Sequence, residues 1–457
     1  MQTHAEQSRA EQSRAEQSRA TTAATAEPSP PGPSSAQREG RFPGRHVVGT
    51  AALWVLTRAV MVYLLVHESI GQRGVTGEVT GIYRRWYEVL VTGRFPVHDA
   101  IWQYPPGAAA VLLSPEALPF LTFFQGFVAV VVLCDVLVTV ALARAGRSSG
   151  GSRAGMWLWL AGLPLLLHVP YARYDLQVTA LAVLSLLCVR RRPRAAGALA
   201  GLGAMVKVWP ALVLLGTPRG RGTRQAWASA VAAALALLAV FAVLFRGSLD
   251  FLGNQQERGI QIESVGGTAL QAARLLGLWQ GHVAYRYGSL EYVGPYVSSV
   301  AHLMLGLTAV AFCWLLLWRV RARRWTAATP FDAALCAVLL FVVTSRVLSP
   351  QYLVWLLGLA AVCLSCRRTT QRPVARLVLA ATPVTALAYP LNYSDVMAGN
   401  AFGTALMVVR NGLLLAAAFW SCRRLWAASV AGGDVKGGRP ASRPPASRPW
   451  SRPWPRP

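Results

Sequence analysis

The chain has 457 residues, 54% hydrophobic and only 14% charged, with a mean hydropathy of +0.38. A soluble domain carries roughly 25% charged residues, so a water-soluble globular fold is excluded. The net charge of +26 does not indicate nucleic-acid binding, because the basic residues lie in short loops and two tails and form no patch with base-stacking aromatics; topology and anionic lipid account for it.

Residues 1–46 carry AEQSR three times in tandem, then a Pro/Ser-rich stretch to Ser35. This composition packs no core, and no compact signal peptide precedes the first apolar run. Apolar runs near the ~20 residues that span a bilayer follow at about 47–67, 119–143, 154–169, 175–189, 226–245, 297–318, 329–344, 351–366, 374–391 and 399–422. The stretch 195–216 has basic flanks on both sides, so a single crossing breaks the charge rule. It is read as two half-helices broken near Lys207 and Pro210, dipping in and back out. The expected fold is an all-α polytopic membrane bundle of about 10–12 helices over 47–426, with both termini cytoplasmic and a basic Pro/Arg tail over 427–457.

The loops are of two kinds. Those at 144–153, 190–194, 219–224, 319–324 and 367–372 are short, basic and free of acid, and therefore cytoplasmic. The alternating loops hold Glu68, Glu78, Glu88, Asp99, Glu116, Asp175, Asp250, Glu257, Glu263, Glu291 and Asp395. Chemistry is expected on this second, outer face.

The first outer loop, 68–118, offers Glu78 and Asp99 among Tyr83, Trp86, Tyr87, Trp102 and Tyr104. A carboxylate there can take a proton from a sugar hydroxyl. Aromatic faces suit sugar rings, and equally an interface belt. Asp175 is either a partner of Arg173 or a site residue. Lys207 either snorkels to the cytoplasmic interface or serves as a cation for lipid phosphate. Asp135 and Arg410, inside spans, are expected to pair in the bundle interior. The polar run 255–263, with Arg258 and Glu263, is a surface helix or a substrate loop. Arg346 and Gln351 stand at an outer helix boundary, a setting that suits phosphate. The seven cysteines avoid the long outer loops, and Cys363/Cys366 lack a second pair, so small apolar filler is their plainer role. Nucleotide-binding P-loop and zinc-peptidase motifs are absent.

Six stretches occur in order: Gly77-Glu78-Val79 with Tyr83 and Trp86, FPVHDAIWQYPPGA, YARYDLQVTALAVL, GALAGLGAMVKVWPALVLL, QQERGIQIES and SRVLSPQYLVWL. Together they resemble glycosyltransferase family 87, the polyprenol-phosphate-mannose-dependent mannosyltransferases of the GT-C superfamily. The resemblance implies a GT-C-type bundle with a long first extracytoplasmic loop and inverting transfer. A first-loop acid would deprotonate the acceptor hydroxyl, which attacks the anomeric carbon as polyprenyl phosphate leaves. The implied partners are a polyprenyl-phosphate-sugar donor, a glycolipid or envelope-glycan acceptor, and membrane lipids. No cofactor and no required metal are implied. On this reading Glu78 is the base, with Asp99 assisting. Arg173, Arg346 and Lys207 are candidates for the donor phosphate. Tyr83, Trp102, Tyr104, Asp175, Arg258, Glu263 and Gln351 are candidates for substrate contact.

One position departs from the resemblance. The family usually has Asp in a Gly-Asp-Val-like context, where this chain has Gly77-Glu78-Val79. The longer arm moves the carboxylate by about 1.5 Å, and misplacement of that order costs ~100-fold in rate unless the pocket compensates or Asp99 is the base. The rival readings are a transporter or flippase, and a non-catalytic scaffold of envelope synthesis. A transporter would show inverted repeats and midplane charges, and no repeat occurs within the membrane domain.

Overall fold

The computed structural model describes residues 43–71, 74–97, 99, 101–247 and 259–430. The candidate Arg258 and most of both tails lie outside the described residues. The chain divides into two compact units, 1–55 and 56–457. The described part of the first is only the beginning of helix α1, Pro43–His67. Everything below concerns the second.

Among the described residues, six helices are long and apolar enough to cross a membrane. They are α1, α4 (Phe123–Arg147), α8 (Arg221–Leu244), α10 (Val297–Arg321), α13 (Arg372–Ala386, continued to Leu391 by a wide turn) and α15 (Ala401–Ser429). The protein is therefore a mostly helical, multi-pass membrane protein. The runs expected at 154–169, 175–189, 329–344 and 351–366 also fold as helices, but shorter ones: α5 (Ala154–Gly162), α6 (Asp175–Cys188), α11 (Thr329–Thr344) and α12 (Tyr352–Leu364). α12 reads YLVWLLGLAAVCL and is apolar all round, the pattern of a helix packed on every side; Leu353 through Cys363 are all buried. α15 continues to Ser429, past the expected end of the membrane domain at 426.

The expected broken pair is present. α7 (Pro193–Val206) stops at Lys207, whose backbone is extended, and a tighter 3-10 segment runs over Trp209–Gly216 behind Pro210. Small residues fix α7 against α8. A Cβ at Gly197 would lie 1.9 Å from the Ala226 carbonyl oxygen, and one at Gly201 2.2 Å from that of Ala230. This is small-xxx-small packing, which brings helix backbones close in a membrane. At the end of α7, a Cβ at Gly107 would meet the Met205 carbonyl at 2.6 Å, so the Pro105-Pro106-Gly107 turn seats directly on the break.

The first outer loop begins with a π-helical turn, Glu78–Tyr83, and continues as α2 (Arg84–Leu90). Val79, Tyr83, Trp86 and Leu90 are buried, the i, i+4, i+7, i+11 face of an amphipathic helix. α3 (Ala108–Leu113) follows the double proline.

The third outer loop departs from the all-helical expectation. β1 (Ile260–Gln261), β2 (His282–Arg286) and β3 (Ser289–Val293) form an antiparallel sheet in the order β1-β3-β2, with α9 (Val265–Leu275) between the first two strands in sequence. The β2–β3 turn is Tyr287-Gly288, both at positive φ (50° and 76°). Such two-residue turns match the natural twist of a hairpin. α14 (Tyr393–Ala398) completes the outer elements.

Candidate functional site

The loop elements enclose a cavity of about 720 Å³, within the ~300–1,000 Å³ range of small-ligand sites. Glu78 enters it from the first residue of the π-turn. Its Oε2 lies 3.5 Å from Nη2 of Arg173, and its side chain keeps 26% exposure against 8% for Arg173. The carboxylate can therefore be reached from the cavity while its partner is held from behind. Arg173 is held by donating Nη1 to the carbonyls of Val75 and Ala172, and Nη2 lies 3.5 Å from the Tyr389 hydroxyl. Nearby, Glu68 accepts from the Thr76 hydroxyl (2.6 Å), the Thr76 amide (2.8 Å) and the Gly74 amide (2.9 Å), which shapes the loop leading into Glu78. Burial works against the Glu68 charge, but these hydrogen bonds outweigh it and hold the carboxyl below its usual range.

Lys207 forms the second corner. Its Nζ lies 2.7 Å from Asp175 Oδ1, which also accepts from Trp355 Nε1 at 2.7 Å. The ammonium sits over the rings of Tyr174, Trp355, Tyr104 and Tyr352 at 4.7, 5.3, 5.7 and 5.8 Å. Cation–π attraction at these distances holds a charge that has left bulk water. One ammonium N–H is used on Asp175, leaving two donors.

The third corner joins distant loops. Gln261 accepts from the Leu348 amide (2.8 Å), and its amide nitrogen donates to Ser349 Oγ (3.3 Å). The Gln261 backbone N–H donates to the Arg346 carbonyl. Glu263 is buried against Arg410 Nη1 at 2.7 Å, and Asn411 donates to the Glu263 carbonyl. Burial drives the Glu263 carboxyl upward, against the pull of Arg410. Tyr285 on β2 also lines the cavity; burial, then the charges of Glu78 and Asp99, raise its phenol.

Of the residues singled out from sequence, the cavity gathers Glu78, Tyr104, Arg173, Lys207, Glu263, Arg346 and Gln351. Asp99 lies elsewhere, paired with Arg85 (3.3 Å) and Trp86 Nε1 (2.9 Å) and lining a different cavity. Tyr83 and Trp102 are buried in an aromatic cluster with Trp86, Phe127 and Phe95. Two expectations are corrected. Asp175 does not pair with Arg173; Lys207 reaches it from the helix break while Arg173 turns to Glu78. Lys207 does not snorkel away from the outer loops, because the turn after Tyr104 packs on the end of α7. Asp135 and Arg410 pair in the interior as expected, with Arg58 and Glu263. Gln261, from the polar run 255–263, also lines the cavity, as do Tyr285, Tyr389, Tyr393 and Trp355, which were not singled out. The only sequence signal of these four is an aromatic at or near a helix or strand end.

A bundle of membrane helices thus carries among its loops a cavity holding an accessible carboxylate, several cations and aromatic walls, a lining that suits a polar substrate. A sequence profile of glycosyltransferase family 87 matches residues 102–350, more than half of the chain. The chain belongs to glycosyltransferase family 87, and is a membrane glycosyltransferase with a sugar donor and an acceptor as substrates. The match begins after Glu78 and Asp99, so it does not bear on the choice between them. Neither the curated proteins nor the solved structures hold a significant match.

Proposed function

We propose that the enzyme moves mannose, or a related hexose or pentose, from a polyprenyl-phosphate donor to a lipid-linked or cell-envelope acceptor. The cavity faces the extracytoplasmic side of the cell membrane, and both termini are cytoplasmic. Glu78 takes the proton of the acceptor hydroxyl. The resulting oxygen attacks the anomeric carbon, the bond from that carbon to the phosphate oxygen breaks, and configuration inverts. Arg173, Lys207 and Arg346 neutralise the departing phosphate, and Tyr104 with Gln351 borders the sugar. The donor carries its own leaving group, so no cofactor or metal is needed.

The observation that carries this reading is one cavity bringing an accessible carboxylate within 3.5 Å of Arg173 and also lined by Lys207 and Arg346. Preorganised charge of this kind is usually the largest single contribution to such transfers. The position of Asp99 in a separate cavity supports Glu78 as the base.

Purified enzyme in lipid, given a membrane glycolipid extract as acceptor, tests the donor class. Labelled polyprenyl-phosphate-mannose should yield labelled glycolipid, with or without a metal chelator, and nucleotide-linked mannose should yield none. Transfer from the nucleotide sugar alone would refute the reading.

A further inference from the structure

A second cavity, of about 950 Å³, lies beside the first. The Trp86–Tyr104 contact (5.8 Å) forms part of the wall between them, with Trp86 lining the second and Tyr104 the first. Ile101 against Gly288 forms another part: a Cβ at Gly288 would lie 2.6 Å from Ile101 Cγ2. Among the described residues, the lining of the second cavity includes Arg85, Arg94 and Arg246 against one carboxylate, Asp99. That carboxylate is occupied by Arg85, the Trp86 indole and the Ile101 amide. Arg94 and Arg246 have no carboxylate partner among the described residues.

The two arginines are held side by side by the backbone. The Phe95 amide donates to the Arg246 carbonyl (3.0 Å), and the Arg246 amide donates to the Gly93 carbonyl (3.1 Å). Phe95 is clamped between Phe241 and Phe245 at 5.8 and 5.5 Å. The position of this pair relative to the bilayer follows from α8. Its 24 residues span about 36 Å, slightly more than the ~30 Å hydrocarbon layer. Arg246, two residues beyond its end, stands at headgroup depth. Directly beneath, Val243 and Leu244 are 83% and 64% exposed, an apolar surface suited to acyl chains.

We propose that this cavity binds the phosphate headgroup of an anionic membrane phospholipid, with Arg94 and Arg246 on the phosphate and the acyl chains against the end of α8. Arginine suits this role because its planar fork meets phosphate in two hydrogen bonds. The site is independent of the proposed donor and of Glu78.

The test is native mass spectrometry of the purified full chain, titrated with phosphatidylglycerol or phosphatidylcholine, beside an Arg94→Gln/Arg246→Gln variant. Wild type should retain phosphatidylglycerol preferentially. The variant should lose roughly 30-fold in that affinity while its phosphatidylcholine binding and thermal midpoint stay unchanged. Arg84→Gln, which removes an exposed arginine of the same loop paired with Glu88, should bind as wild type. If the double variant fails to insert, Arg246→Gln alone carries the comparison. Equal retention of phosphatidylglycerol by variant and wild type would overturn the proposal. Competition by inorganic phosphate at concentrations comparable to the lipid would also overturn it, by making this a free-phosphate site.

Discussion

Two aspartates of this protein are buried against a cation, and they are completed differently. Asp135, in the middle of α4, accepts from Arg58 (2.8 Å), Trp159 Nε1 (2.7 Å) and the Tyr171 hydroxyl (2.9 Å), so both oxygens are engaged. Asp175, at the start of α6, takes Lys207 and Trp355 on one oxygen, while its buried Oδ2 has no hydrogen-bond partner among the described residues. A fully satisfied buried pair locks helices together. A buried pair with one oxygen unpartnered, whose lysine lines the cavity, is the kind of arrangement that clusters at functional sites.

The contrast can be broken from the packing side first. Asp135→Ala leaves Arg58 as an uncompensated charge in the bundle and should cost about 3–5 kcal/mol, seen as loss of folded protein in membranes or a large drop in thermal midpoint. From the site side, Lys207→Met leaves Asp175 without its cation and should also destabilise, but the enzyme that still folds should show a kcat about 100-fold lower, whereas folded Asp135→Ala enzyme should keep its kcat. An equal kcat per folded enzyme in the two variants would dissolve the distinction. Gly201→Val addresses the scaffold behind Lys207. Its side chain meets the Ala230 carbonyl, so α7 and α8 must separate. A loss of about 1–3 kcal/mol should come with reduced transfer. The smallest effect is expected at Glu68. Its folded-state carboxyl is held low, so its hydrogen bonds stabilise the loop above the ordinary carboxylate range and are lost as pH falls through the folded value. In wild type, the protection factors of the Gly74 and Thr76 amides, measured against the intrinsic exchange rate at each pH, should fall on acidification; in Glu68→Gln they should be low throughout.

What could be read from sequence followed locality. Charge alternation located the loops, the basic flanks of 195–216 exposed the broken helix at Lys207, and apolar periodicity gave the Val79–Leu90 face. These signals depend on neighbours a few residues apart. The pairing of Arg173 with Glu78 instead of Asp175 depends on a contact across 95 positions, and that of Asp175 with Lys207 on one across 32; no local pattern encodes either. Asp99 resembled Glu78 as a first-loop acid, and only the fold of α2 sends it to a different cavity. The β2–β3 hairpin had a legible cue in alternating HVAYR and SLEYV around Tyr287-Gly288, but it sits in a long loop to which the charge and apolar patterns assign no structure.

The most direct measurement is single-turnover transfer from labelled polyprenyl-phosphate-mannose by wild type, Glu78→Gln and Asp99→Asn, each in lipid, with donor binding recorded in parallel. The account predicts that Glu78→Gln loses about 10²–10⁴ in rate while still binding donor, and that Asp99→Asn keeps a rate within tenfold of wild type. Unchanged transfer in Glu78→Gln, or collapse only in Asp99→Asn, would contradict it.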